Sequence, residues 1–310
     1  MQEAEKIWMN GALVDWPDAR VHVLSHGLHY GSSVFEGIRA YDAEGGTAVF
    51  RLDDHLARLE ASAGIYHMPI PYSRQELREA VHQVIAVNGL AACYIRPIAL
   101  RGYGTMGLFP LDSPVDVAIA AWEWGAYLGE ESLRAGIRAK VSSWRRIGGT
   151  TIPAIAKASG QYLNSILAKV ETHQAGYQEA LLLNEAGNVA DGSGENLFLV
   201  RRGRLITPPP QASILEGITR ASILQLAADE GIEVEEREVA RAELYIADEL
   251  FITGTAAEVC PINEIDEHPL GPPGPITRRL QDRFFAAAGG RDPRSAEWLD
   301  YVPAGAPTQL

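Results

Sequence analysis

Apolar residues recur at three- and four-residue spacing in two N-terminal stretches and cluster or alternate in the segments around them, a pattern that predicts helices packed on a sheet. Over 52–66 the helical period puts Leu56, Leu59, Ala63 and Tyr66 on one face. Over 73–88 a capping box of Ser73 with Glu76 opens a second helix, whose Leu77, Val81, Val84 and Ile85 share the inward face. Strands are predicted at 47–51, 93–100 and 115–121, the last with an apolar run suited to a central position. From Ala121 to Gly129 the pattern breaks into glycines and exposed-type aromatics, which marks a domain junction.

Beyond it a strand is expected at 137–144 and a helix at 160–175 with an apolar stripe of Leu163, Ile166, Leu167 and Val170. Strands follow at 178–184, 196–200 and 204–207, joined by turns at 185–188 and at Arg202-Gly203, so antiparallel hairpins are implied. A helix at 218–230, strands at 232–239 and 249–253, and a helix at 275–288 complete this part; the tail from Arg291 reads as irregular. The expected division is 1–121, an interdomain loop at 122–133, and 134–310.

A chain of 310 residues with 46% hydrophobic and 22% charged residues can bury a large core in two domains. Its formal charge of −13 repels nucleic acid and anionic membrane, and no stretch reaches the length of a membrane span. Cys93 and Cys260 stand in separate apolar runs and form no zinc-type cluster, so no metal is expected and a reducing, cytoplasmic setting is.

Four lysines occur, and only Lys157 has small and apolar neighbours, from Ile152 to Gly160. Desolvation favours the neutral amine, the form that attacks an aldehyde to give a Schiff base. The competing reading is a lysine whose stem crosses an apolar surface to water. Lys6, Lys140 and Lys169 read as solvated, Lys169 because it lies opposite the apolar stripe.

Two glycine-threonine segments could bind an anion: Gly217-Ile218-Thr219, opening a helix, and Gly254-Thr255-Ala256, ending a strand. Each is also consistent with an ordinary cap or turn. Arg58 could reach a phosphate or stay solvated. Strand alternation sends Tyr94 and Arg96 to one face, as a carboxylate site or merely a half-exposed surface. Asp191 and Glu195 flank glycines at the close of one strand, where a buried carboxylate could hold a heteroaromatic nitrogen protonated.

In order, these segments resemble fold-type IV, class IV pyridoxal-phosphate aminotransferases, and within them the branched-chain amino acid aminotransferase family. The motifs are Ser25-His26-Gly27-Leu28-His29-Tyr30-Gly31 through Val34-Phe35-Glu36-Gly37-Ile38-Arg39, then Tyr94-Ile95-Arg96-Pro97, Lys157-Ala158-Ser159-Gly160-Gln161-Tyr162, Gly192-Ser193-Gly194-Glu195-Asn196, Gly217-Ile218-Thr219-Arg220 and Gly254-Thr255-Ala256-Ala257-Glu258. The resemblance implies an α+β fold: a small N-terminal α/β domain, a larger pseudo-barrel domain carrying the cofactor lysine, and an active site between them in a homodimer, or a higher oligomer of dimers.

On the same resemblance, Lys157 would form the Schiff base with pyridoxal 5'-phosphate and move the substrate proton. Tyr162 would bond the phenolic oxygen of the cofactor, and Arg58, Gly217, Ile218, Thr219, Thr255 and Ala256 would cradle its phosphate. Asp191 takes the place of the pyridine-nitrogen carboxylate, where the family often has glutamate, with Glu195 as a neighbouring contributor. Tyr94 with the Thr255 and Ala256 amides would bind the substrate α-carboxylate. Phe35, Gly37, Tyr30, Trp124 and Tyr127, with Met106 or Leu108 from a neighbouring subunit, would shape the side-chain pocket, and Arg96 would meet the glutamate carboxylate. The implied reaction moves the amino group of leucine, isoleucine or valine to 2-oxoglutarate. A D-amino acid aminotransferase, an aminodeoxychorismate lyase and a non-catalytic cofactor-binding protein are the alternatives.

Overall fold

The computed structural model describes residues 2–125 and 127–303; Ala126 of the expected interdomain loop and residues 304–310 of the expected tail lie outside it. Chain contacts define two units. The first comprises Met1–Gly125, Ala156–Gly160 and Ala287–Leu310, and the second Ala126–Ile155 and Gln161–Ala286. This division differs from the expected one. Ala158 bridges to Val34, which draws Lys157 into the first unit, although the sequence pattern placed it in the second. A reading of local periodicity follows chain continuity and does not see such pairings.

The first unit is built on strands β1 (Lys6–Met9), β2 (Ala12–Asp15), β3 (Ser33–Phe35), β4 (Ile38–Ala43), β5 (Gly46–Phe50), β6 (Cys93–Arg101) and β7 (Val115–Trp122). They form one antiparallel sheet with β6 between β4 and β7, and β3 also pairs with β6. The described part of the tail is not irregular: Leu299–Tyr301 adds an edge strand to β5. A short helix, α1 (His26–Tyr30), precedes β3, and α2 (Leu52–Ile65) and α3 (Arg74–Val87) pack on the sheet. Their buried residues Leu56, Leu59, Ala63, Leu77, Val81 and Val84 are those of the predicted faces. The capping box is present, Ser73 Oγ accepting from Glu76 N–H at 3.3 Å and Glu76 Oε2 from Ser73 N–H at 2.7 Å.

The second unit contains β8 (Ile137–Arg145), β9 (Glu179–Leu183), β10 (Val189–Gly192), β11 (Asn196–Arg201), β12 (Arg204–Thr207), β13 (Val234–Glu236), β14 (Glu249–Gly254) and β15 (Glu258–Ile265). The order β10-β9-β8-β15-β14-β11 is closed by a pairing of β10 with β11, so these strands form a ring with no free edge. The closure rests on one rung, Asp191 opposite Asn196, beside a bulge in β10. The β11–β12 turn has Arg202 and Gly203 both at positive φ, the geometry of a two-residue hairpin. The expected strand at 232–239 is only β13, and β15 was not predicted. Pro261 lies in its middle and pairs in register with Phe251.

The α-helices of this part of the chain, among the described residues, are α4 (Glu130–Ala135), α5 (Tyr162–Gln174), α6 (Ile218–Asp229) and α7 (Pro275–Ala288). The orientation of α5 reverses the sequence expectation. It buries Ser165, Ala168 and Thr172, with Ala168 against Ala180 and Leu182, and leaves Leu163, Ile166, Leu167 and Val170 exposed by 67%, 55%, 45% and 49%. Lys169 therefore turns inward, where its ammonium pairs with the fully buried Glu179. Small side chains let the helix approach β9 closely, which the apolar stripe would prevent.

Candidate active site

Lys157 is held by its backbone at both ends. Its N–H donates to Ser62 Oγ at 3.0 Å, and its carbonyl accepts from Phe35 N–H at 3.1 Å. The amine lies 5.1 Å from the centroid of the Phe35 ring. Ser62 belongs to the face of α2 that also presents His55 and Arg58, so one helix supports the lysine and organises the charges beside it.

The centre of that arrangement is Glu36, which sequence reasoning did not single out. It is fully buried; Arg58 donates to it from Nε at 2.7 Å and Nη2 at 2.8 Å, and His55 Nδ1 lies 2.8 Å from Oε2. Burial pushes the Glu36 carboxyl upward, but Arg58 and His55 overcome this and hold it well below the usual range. Burial lowers His55, so the ring is neutral near pH 7 and places its proton on Nδ1, toward the carboxylate. Arg58, the expected phosphate contact, is held in place as a forked partner of Glu36. The one available signal was the spacing of His55, Arg58 and Ser62 on a single helix face.

Phe35, Gly37, Tyr94, Arg96 and Trp124 do come together. Arg96 lies over the Phe35 ring at 4.7 Å and donates from Nη2 to the Tyr94 hydroxyl at 3.3 Å. Tyr94 packs edge-on to Trp124, with ring centroids 4.5 Å apart, and a Cβ on Gly37 would stand 1.9 Å from its hydroxyl oxygen. Arg39, also unforeseen, fixes the Trp124 segment by donating to the carbonyls of Trp124 and Gly125 at 3.1 and 2.7 Å. Tyr30 packs on His26, whereas Met106 and Leu108 are exposed and lie outside this cluster.

In the second unit Asp191 is buried at the closing rung of the barrel. Oδ1 accepts from Asn196 Nδ2 at 2.8 Å and Oδ2 from Leu215 N–H at 3.0 Å, with Arg146 Nη2 4.0 Å away. Burial pushes this carboxyl up to about 6, against the pull of Arg146 and the two hydrogen bonds. Glu195 is raised as well, by burial and by the neighbouring Glu179. Of the two, Asp191 is the one that retains its charge near pH 7. Gly217 is the N-cap of α6 and has no side chain with which to cap it, and Ile218 and Thr219 form the first turn. Thr255 and Ala256 lie in the β14–β15 turn; a Cβ on Gly254 would come 3.3 Å from Glu195 Cγ, so this turn sits against the Asp191–Glu195 loop. Thr253 Oγ1 is buried there with no hydrogen-bond partner among the described residues. Tyr162 opens α5, and Tyr127 stands over Lys169 with the amine 5.8 Å from its ring centroid.

Each unit by itself offers donors that fit pyridoxal 5'-phosphate: the first a supported lysine, the second a buried ionisable carboxylate and a helix N-terminus approached through glycine. Among the described residues no group of histidines, cysteines and carboxylates is arranged to hold a metal.

Residues 33–265 match the amino-transferase class IV family. The chain is 49% identical over 304 residues to the branched-chain-amino-acid aminotransferase of Escherichia coli strain K12, covering 97% of this chain and 98% of that protein. The Pseudomonas aeruginosa branched-chain-amino-acid aminotransferase is 48% identical, with 96% and 97% covered. Among solved structures, the Escherichia coli branched-chain amino acid aminotransferase superposes with a TM-score of 0.95 at 49% identity, covering 97% of this chain and all of that one. The branched-chain amino acid aminotransferase of Thermobaculum terrenum in its PLP-bound holo form gives 0.91 at 38% identity, covering 98% and 100%. Its sequence and its fold agree in placing the chain in the class IV amino-transferase family, in the branched-chain-amino-acid group.

Proposed function

We propose that this protein is a pyridoxal-phosphate transaminase that moves the amino group of L-leucine, L-isoleucine or L-valine to 2-oxoglutarate, giving branched 2-oxo acids and L-glutamate. The observation that carries this reading is the anchored Lys157 beside the Phe35–Tyr94–Arg96 cluster, an amine next to an apolar wall with a phenol and a guanidinium at its edge.

When bound, the cofactor supplies an electron sink for negative charge at the substrate Cα. Lys157 Nζ holds the cofactor and moves the Cα proton. Arg58, steadied by Glu36, binds phosphate together with the α6 amides of Ile218 and Thr219 behind Gly217, and with Thr255 and Ala256. Tyr162 bonds the phenolic oxygen, and Asp191, with Glu195 near it, keeps the pyridine nitrogen protonated. Tyr94 orients the α-carboxylate with the Thr255 and Ala256 amides. Phe35, Gly37, Tyr30, Trp124 and Tyr127 exclude water from a branched side chain. Arg96 offsets the desolvation of the glutamate carboxylate.

The working form is a homodimer. The exposed stripe Leu163, Ile166, Leu167 and Val170 is apolar at helical spacing, which a second copy would cover, and Met106 and Leu108 serve the partner's pocket. No described helix is long and apolar enough to cross a membrane, and Cys93 and Cys260 are free and buried, which suits the cytoplasm.

Separate incubation of the holoenzyme with L- and D-leucine and 2-oxoglutarate tests the reading. Glutamate is expected from the L form only; turnover of the D form alone would support a D-amino acid aminotransferase instead.

A further inference from the structure

Asn196 turns its side-chain amide toward two different parts of the second unit. Nδ2 donates to Asp191 Oδ1 and to the carbonyl of Leu215, each at 2.8 Å. Two acceptors facing one side-chain atom fix the amide orientation, because the flipped group would oppose oxygen to oxygen. The Leu215 N–H returns to Asp191 Oδ2 at 3.0 Å, so Asp191, Asn196 and the Leu215 backbone form a closed ring of three hydrogen bonds. Asp191 and Asn196 are buried and are the residues of the barrel's closing rung.

Leu215 stands two residues before Gly217, the N-cap of α6. Gly217 has φ −70° and ψ 136°, a conformation open to any residue, so its backbone does not require glycine. Space requires it: a Cβ there would lie 2.0 Å from Asn196 Oδ1. The asparagine amide is therefore pressed against the start of the helix by its oxygen and tied to Asp191 by its nitrogen.

We propose that Asn196 is a positioning residue that joins the carboxylate serving the cofactor ring to the helix terminus serving its phosphate, so that both ends are gripped by one bracket. This rests on the roles assigned above to Asp191 and the α6 N-terminus. The bracket fixes the separation between the two contacts before the cofactor arrives, which lowers the cost of ordering them on binding. Coupling of this kind is reciprocal: a disturbance at either end is felt at the other.

The test reads each end separately on the apoprotein, with inorganic phosphate for the helix end, pyridoxal for the ring end and pyridoxal 5'-phosphate for both. Asn196→Ala, which removes the bonds to Asp191 and to the Leu215 carbonyl, is expected to weaken phosphate and pyridoxal binding at least tenfold each. Gly217→Ala enters from the helix side, displaces the amide, and is expected to weaken pyridoxal, a ligand without phosphate, at least tenfold. Melting temperatures accompany each variant, and Gly217→Ala keeps the test open should Asn196→Ala fail to fold. If both variants bind pyridoxal and phosphate within threefold of wild type while melting lower, Asn196 only seals the barrel and the proposal is overturned. If Gly217→Ala weakens phosphate but not pyridoxal, the two ends are independent, which also overturns it. Asp191→Ala separates the levels: unchanged pyridoxal affinity there removes the ring-carboxylate role itself, whereas a loss there combined with unaffected Asn196→Ala removes the bracket alone.

Discussion

Gly37→Ala is a one-carbon perturbation whose consequence follows from the packing around Tyr94. The added methyl would stand 1.9 Å from the phenolic oxygen and 2.8 Å from Cζ, where ordinary contact begins at 3.4 Å, a deficit of about 1.5 Å at the oxygen. Gly37 is not among the residues with positive φ, so space alone demands glycine there. Tyr94 has little room to retreat, being 5% exposed and lodged against Trp122 and Trp124 at 5.3 and 4.5 Å. Overpacking of this kind costs about 1–3 kcal/mol of stability. A binding group displaced by about 1 Å costs on the order of 100-fold in rate. Initial-rate kinetics with L-leucine should therefore show kcat/KM down about 100-fold, mostly through KM, with a melting temperature lowered by a few degrees. In a Tyr94→Phe background the hydroxyl clash is gone and only the contact at Cζ, 2.8 Å, remains, so adding Gly37→Ala should cost less, a coupling that a double-mutant cycle reads directly. A kcat/KM within threefold of wild type, or effects that simply add, would refute the assignment of Tyr94 as the group that Gly37 makes room for.

Two further outcomes follow from the second unit. Because burial raises Asp191 to about 6, the protonated acid is favoured in the empty fold below that pH, and the charge that steadies a protonated pyridine nitrogen appears only as pH rises through it. Apoprotein affinity for pyridoxal 5'-phosphate, relative to Asp191→Asn to cancel the cofactor's own titration, should fall as pH drops below about 6, approaching about tenfold per unit; a ratio that stays flat from about pH 5 to 8 contradicts it. Leu163→Glu with Leu167→Glu places charge on the exposed stripe of α5 and should shift the protein from dimer to monomer in sedimentation or light scattering, while an unchanged dimer would show that another surface joins the copies.

What was legible in the sequence is what local rules encode. The faces of α2 and α3 and the Ser73–Glu76 capping box follow from spacing along a single segment. The two glycine-threonine segments end as a helix terminus with glycine at its N-cap and a turn against the Asp191–Glu195 loop. Periodicity cannot say which side of a helix a sheet will cover, and for α5 the small-residue side won, with Lys169 drawn to Glu179 rather than to solvent. Nor does it reveal pairings between distant segments. Glu36 with His55 and Arg58, Arg39 with the Trp124 segment, the barrel-closing rung, and the attachment of Lys157 to the first unit all join residues that are neighbours only once the chain has folded. The strand β15 was not among the expected strands; its Pro261 carries no N–H, and the ladder accommodates it.

The central claim is that Lys157 carries the cofactor, and it is tested by reducing the holoenzyme with borohydride, digesting it and locating the phosphopyridoxyl label by mass spectrometry. The account predicts one labelled peptide, modified at Lys157, and no visible cofactor absorbance in Lys157→Ala. A label on Lys6, Lys140 or Lys169, or a Lys157→Ala variant that still converts L-leucine at the wild-type rate, would contradict it.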